Sequence, residues 1–285
     1  VDLTTGSMRD ENLPEEPLLR KFIGGQALAS YILLKELPVD AKPFGPENIV
    51  VMMTGPLTGN GFTPGGTKMT AVYLSPLTNT TLGRGATSGY WATYLKAAGY
   101  DGIILNGASP KPVYLYINEG KPELREATTF WGLGTRATED RLREAVGHKE
   151  AKVLCIGPAG ENMNRAAMLA NDYNHFAAHS GGAVLGSKKL KAIVVHGTKR
   201  PRFCDKAKLV DAGWRWRKTL EQHDVKKKKT KYGHGQAWGV LNNFNWRSTD
   251  LSPAHIHGFG DNDVVLRPCF QCARMCPWDA KLGQG

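Results

Sequence analysis

The apolar positions of this chain change period as the sequence proceeds. Over residues 16–37 they recur at helical spacing, at Leu19, Phe22, Ile23, Ala27, Leu28, Tyr31 and Leu34, which predicts a helix. Gly24-Gly25 interrupts it; a glycine pair there marks a helix start, a kink, close packing, or a ligand near the backbone. Residues 48–53 are a continuous apolar run that reads as a buried strand, entering the turn Thr54-Gly55-Pro56-Leu57-Thr58-Gly59. A second turn, Pro64-Gly65-Gly66-Thr67-Lys68, precedes a second strand over 69–74, and Ser75-Pro76-Leu77-Thr78 echoes the first turn. Residues 100–105 read as turn and strand. Residues 113–117 and 123–126 read as a hairpin about Asn118-Glu119-Gly120, and 135–146 as an amphipathic helix with Thr138-Glu139-Asp140 in its first turn. Residues 152–156 and 190–196 are further strands.

Two glycine-rich loops break this alternation. Gly83-Arg84-Gly85-Ala86-Thr87-Ser88-Gly89 leads into a helix over 90–98, with Thr87 or Ser88 placed to cap it. His179-Ser180-Gly181-Gly182-Ala183 leads into a shorter helix ending in Lys188-Lys189. A helix start behind small residues is either an ordinary capped helix or an anion site. Each loop leads through a helix to a strand and a glycine: Ile103-Ile104-Leu105-Asn106-Gly107 resembles Ile193-Val194-Val195-His196-Gly197, with Leu95-Lys96-Ala97 set beside Leu190-Lys191-Ala192. The pattern predicts an internal duplication.

After Gly197 the strands are expected to stop. Residues 205–220 read as helix, with Trp214 and Trp216 unable to share one face. Residues 226–229 are a lysine run that reads as solvated surface, 233–243 as a short helix, and 245–260 as loop. A domain boundary is expected near Pro201, giving domains over 1–200 and 201–285. Near the end stand Cys269, Cys272 and Cys276, followed by Pro277. Their spacing turns three sulfurs onto one soft metal centre, an iron–sulfur cluster or, with His255 or His257, zinc. Cys155 lies in an apolar run and reads as core, and Cys204 carries no motif. Five cysteines, an odd number with two far apart, do not suggest a disulfide framework.

The 285 residues are 41% hydrophobic, enough for a sizeable core and about two domains. No apolar run reaches membrane-spanning length and no signal peptide is visible, so a cytoplasmic protein is expected. Residues before Val1 are expected to be missing. The net charge of +11 fits nucleic acid, a phosphorylated cofactor or an acidic redox partner.

Several motifs stand in order: Thr54-Gly55-Pro56-Leu57-Thr58-Gly59, Ala98-Gly99-Tyr100-Asp101, Lys111-Pro112-Val113-Tyr114, Trp131-Gly132, Ile156-Gly157-Pro158-Ala159-Gly160-Glu161-Asn162 and Gly182-Ala183-Val184-Leu185-Gly186-Ser187-Lys188. Together they resemble the aldehyde:ferredoxin oxidoreductase family of tungsten-pterin enzymes, from Val1 to about Gly197 and again from Cys269. The resemblance implies an α+β amino-terminal domain of two sheets, a base for two pterin ligands of tungsten or molybdenum, followed by the start of a mainly helical domain. It implies magnesium between the pterin phosphates, held by carbonyls of the two loops. The cofactor contacts carried over are Gly65, Gly66, Thr67, Lys68, Ala86, Thr87, Ser88, Gly89, Gly181, Gly182 and Ala183. It implies a 4Fe-4S cluster on Cys269, Cys272 and Cys276, with a fourth cysteine outside this chain, which looks like the first half of a family member.

Where the family has arginine after two glycines, this chain has Thr67-Lys68, with Lys68 or Arg84 as substitutes. Its glycine–arginine–glycine pattern is here Ala178-His179-Ser180-Gly181. The function implied is oxidation of aldehydes to carboxylic acids, with electrons passing to ferredoxin or another electron-transfer protein. The alternative within the family is reduction of an aromatic acyl-CoA thioester of benzoyl-CoA type. A zinc-bound nucleic-acid module is the reading from another class, and a folded remnant without metal a third. No nucleic acid or membrane partner is expected; a homodimer or heteromeric complex is. No residue stands out as catalytic acid, base or nucleophile; Glu47 and Glu161 read as turn or cap residues.

Overall fold

The computed structural model describes residues 1–61, 63, 66–222, 264–266 and 278–280. Val1–Asn60 and Gly66–Pro201 form one compact unit, and Gly61–Gly65 with Arg202–Gly285 a second. In chain order the first unit runs α1 (Glu16–Phe22), α2 (Gly25–Glu36), β1 (Val50–Thr54), β2 (Met69–Leu74), β3 (Leu82–Thr87), α3 (Trp91–Ala98), β4 (Gly102–Leu105), β5 (Val113–Asn118) and β6 (Lys121–Glu126). It continues with α4 (Thr135–Val146), β7 (Lys152–Cys155), α5 (Pro158–Glu161), β8 (Leu169–Asn171), β9 (His175–Ala177), α6 (Gly181–Ser187) and β10 (Leu190–His196). The described part of the second unit holds α7 (Lys206–Gln222) and an antiparallel pair, β11 (Val264–Leu266) and β12 (Trp278–Ala280). Strands therefore do not stop after Gly197, as the pattern had predicted.

The strands form a four-stranded sheet, order β3-β2-β1-β4, and a six-stranded sheet, order β6-β5-β10-β7-β8-β9. The fold is α+β. The two orders contain one repeated unit. Three antiparallel strands, a helix and a strand returning beside the first give β3-β2-β1-β4, and the same path gives β9-β8-β7-β10. Residue registers agree. Met52 faces Ala71 and Ile103, while Leu154 faces Asn171 and Ile193. The Thr54 amide donates to Asp101 O at 2.9 Å, and the Ile156 amide to Lys191 O at 3.0 Å. Gly55-Pro56 corresponds to Gly157-Pro158, and Gly107 to Gly197. The expected pairing of residues 95–97 with 190–192 does not hold: the former lie in α3 and the latter in β10.

Alternation along the strands decides the layers. Met52, Tyr73, Leu154 and Ile193 share a central core with Trp91 and Leu95 of α3 and Val184 and Leu185 of α6. Val51 and Met53 face α2 on the outer side of the first sheet, and Val153, Cys155 and Val194 lie with Leu142 of α4 on the outer side of the second. Each inner helix crosses to the other half: α3 packs on β10 and β7, α6 on β2 and β3. The fully buried Trp91 donates its indole N–H to Ile193 O at 2.9 Å. Gly24-Gly25 splits the predicted helix. Gly24 sits against the first turn, where a Cβ would come 3.2 Å from both Pro56 Cδ and Thr54 O, so close packing explains the pair.

Candidate functional site at the seam between the two halves

Strands β3 and β9, the outer strands of the repeated units, pack along one seam. They run in opposite directions. A Cβ on Gly85 would lie 2.7 Å from Ala178 O, and one on Gly89 3.3 Å from His175 Cγ. Register makes Thr87 and Ala177 equivalent, since they face Met69 and Leu169 respectively. Both fall between those two contacts, so the repeat relates the halves about this point.

Most of the first loop belongs to β3, which the glycine pattern had concealed. Ala86 is half-buried and Thr87 buried, Ser88 is half-buried, and Gly89 turns the chain at φ +92°. Tyr90, rather than Thr87 or Ser88, caps α3, with no side-chain cap of its own. The cap comes from the other half: the Tyr90 amide donates to Asp172 Oδ2 at 2.5 Å. With its nitrogen toward them, the buried Asn171 amide donates to Asp172 Oδ2 (2.9 Å) and Ser88 O (3.0 Å) and accepts from the Thr87 hydroxyl (2.8 Å). Gly89 allows this approach, because a Cβ there would lie 2.5 Å from the Asn171 side-chain amide and from Asp172 Oδ2.

Beside the seam, Gly66, Thr67 and Lys68 lead into β2; Gly65 lies outside the described residues. Gly66 O accepts from the Gly59 amide at 2.8 Å, and Lys68 O from the Thr58 hydroxyl at 3.2 Å. Thr67 is buried, and its hydroxyl has no partner among the described residues. Lys68 is exposed. Burial lowers the pKa of His175 against the opposing pull of Asp172, and the Lys68 charge adds the smallest share. Arg84, its rival from the sequence, donates to Gln26 Oε1 at 2.9 Å and so turns toward α2.

The second loop is different. Gly181, Gly182 and Ala183 are buried within α6. Gly182 donates to Ala167 O at 3.1 Å, and a Cβ on it would lie 2.4 Å from Met168 O. By register the counterpart of residues 86–89 is 176–179, one turn earlier. His179 and Ser180 there hold left-handed φ of +69° and +77°. The Tyr73 hydroxyl donates to His179 O, and the Ser180 hydroxyl to Arg165 O.

Charged groups behind the second sheet were not legible as a cluster. Glu139 is fully buried on α4, beyond its first turn, and does not serve the helix end as expected. It accepts from the Tyr173 amide (2.9 Å) and from Arg143 (2.8 Å). Burial pushes its pKa up to about 7, against those bonds. Glu161, read as a cap, is instead paired with Lys191, both almost fully buried, and it accepts from the Gly132 amide at 2.8 Å. Glu47 does close a turn, on the Lys42 amide at 2.9 Å. Cys155 is buried in the core and burial raises its pKa. Cys269, Cys272, Cys276, His255, His257 and the lysine run lie outside the described residues. Among the described residues no helix is long and apolar enough to cross a membrane.

Fold and seam define an α+β domain built from one strand–helix unit used twice. Residues 1–197 match the family described as aldehyde ferredoxin oxidoreductase, N-terminal domain, and the chain belongs to that family. It is 42% identical over 212 residues to a tungsten-containing aldehyde ferredoxin oxidoreductase of Pyrococcus abyssi, covering 74% of this chain and 34% of that protein. It is 40% identical over 228 residues to an aliphatic sulfonate oxidoreductase, WOR-like subunit, of Pyrococcus furiosus, covering 73% and 35%. The chain thus spans about a third of the length of these relatives. Among solved structures it resembles the active site complex BamBC of benzoyl coenzyme A reductase with 1,5 dienoyl-CoA. That likeness has a TM-score of 0.83 at 28% identity, over 100% of this chain and 46% of that one.

Proposed function

We propose that this chain is the cofactor-binding base of a tungsten-pterin oxidoreductase that converts an aldehyde and water to a carboxylic acid, releasing two electrons and two protons. The observation that carries the reading is the seam itself, where the equivalent outer strands of a doubled unit, β3 and β9, pack together in a chain of this family. The local chemistry fits a large phosphorylated ligand with a hard cation. Oxygen atoms of Thr87 and Ser88 suit magnesium, and the Thr67 hydroxyl, without a partner among the described residues, and the exposed Lys68 offer donors to an anion.

In this reading Gly65, Gly66, Thr67 and Lys68 hold the ligand's polar edge. Ala86, Thr87, Ser88 and Gly89 present main-chain groups, with 176–179 as their counterpart. Gly181, Gly182 and Ala183 act by letting α6 approach the seam closely. When bound, tungstopterin supplies the redox chemistry. Cys269, Cys272 and Cys276 would hold a 4Fe-4S cluster as thiolates, and an acidic ferredoxin is the partner that a net charge of +11 would attract. The full-length protein, purified without oxygen, should contain tungsten, iron and pterin and reduce ferredoxin when given an aldehyde. Zinc alone, without iron, would overturn the reading in favour of the zinc module.

A second reading is favoured by the structural likeness to benzoyl coenzyme A reductase over the whole chain. Here the same base serves reduction of an aromatic acyl-CoA thioester within a multi-subunit complex. Oxidation of the cyclic dienoyl thioester by the full-length protein, with no aldehyde activity, would select it.

A further inference from the structure

We propose that Glu139 is a positioning residue that, through the turn between β8 and β9, fixes the β3–α3 loop of the opposite half. The inference rests on the reading above only in giving that loop a ligand to hold. The chain of contacts is continuous. Glu139, on α4, accepts the Tyr173 amide at 2.9 Å. Arg143, one turn on, binds Glu139 at 2.8 Å, the Tyr173 hydroxyl at 2.6 Å and Ala151 O at 3.2 Å. The Tyr173 hydroxyl also donates to Asp140. Both turn residues, Asp172 and Tyr173, hold left-handed φ of +47° and +65°; aspartate enters that region readily, whereas a tyrosine there is uncommon and is held here by its bonds to Glu139, Asp140 and Arg143.

What the turn delivers is its preceding side chains. Asp172 accepts the Tyr90 amide at the start of α3, and Asn171 engages the Thr87 hydroxyl and Ser88 O. These are the groups on the seam. Glu139 reaches residues 86–90 two steps away, through the Tyr173 amide and then Asp172. A buried carboxylate with an arginine partner is costly to maintain and gives a weak stability return. Its geometric product here is a single allowed position for Asp172.

The test uses the full-length protein and hydrogen exchange at the Tyr90 amide, the far end of the relay. Glu139→Ala should raise Tyr90 exchange at least tenfold. Glu139→Gln, which keeps an acceptor for the Tyr173 amide, should restore it to within about twofold of the parent. Leu142→Ala, a buried change on the same helix, controls for general loosening and should leave Tyr90 exchange near the parent value. Unchanged exchange in Glu139→Ala, or an equal rise in Leu142→Ala, overturns the proposal; if the alanine variant does not fold, a Gln variant with parent exchange and an Asp172→Ala variant with raised exchange at Tyr90 but not at Tyr173 decide in its favour, and the reverse pattern against it. Tungsten and pterin content, measured on the same samples, addresses the separate reading. Raised Tyr90 exchange with full cofactor content leaves the relay standing and removes the loop from the cofactor site.

Discussion

Trp91 and Ile193 lie in different halves of the doubled unit and are joined by a 2.9 Å bond from the indole N–H to the main-chain carbonyl. The ring is fully buried, so this one side chain supplies both apolar contact and the donor for a strand carbonyl. Truncating it should cost more than either half would alone. Trp91→Ala is expected to lower unfolding free energy by about 3–5 kcal/mol, and Trp91→Phe by clearly less, as measured by denaturant titration.

Glu139 gives the protein a pH signature. Its folded pKa, about 7, lies above the ordinary value of 4.5. The folded state therefore holds this proton more tightly, and the stabilisation is fully present below pH 4.5 and lost as pH rises through 7. Denaturation at pH 5 and pH 8 should show lower stability at the higher pH from this residue, by up to about 3 kcal/mol at about 1.4 kcal/mol per unit. Glu139→Gln should flatten that difference; an unchanged slope would assign it elsewhere.

Gly186 should tolerate no side chain. A Cβ there would lie 1.8 Å from Gly160 O, backbone of the neighbouring short helix, which cannot rotate away. Gly186→Ala should destabilise by about 3 kcal/mol or more despite alanine's better helix propensity of about 1 kcal/mol. Thermal unfolding of the pair of proteins checks it.

His179 sits at φ +69° with an L side chain. Replacing it with glycine removes about 1–2 kcal/mol of left-handed strain and costs about 0.5–1 kcal/mol of added unfolded-state freedom. His179→Gly should therefore be neutral to stabilising by about 1 kcal/mol, whereas His179→Ala should not gain, as read by chemical denaturation.

The sequence by itself determined the strands it read over 48–53, 69–74, 113–117 and 190–196, found at 50–54, 69–74, 113–118 and 190–196, because buried strands are continuous apolar runs whose length and period need no partner to be read. It also pointed to a repeat through the strand-and-glycine endings at Gly107 and Gly197, whereas the correspondence of Gly55-Pro56 with Gly157-Pro158, and the failure of 95–97 to match 190–192, came from strand register. Motif order carried the family, and the small residues of the first loop marked one side of the seam. Tertiary structure alone decided the rest. β3, β8 and β9 are short or glycine-rich, and only pairing makes them strands. That Arg84 bonds Gln26 of α2 could be read only from the packed sheet. Glu139 and Asp172 stand 33 residues apart and look like ordinary surface acids; the turn between β8 and β9 links them, meeting α4 through the Tyr173 amide and the start of α3 through Asp172, a proximity that no local period encodes.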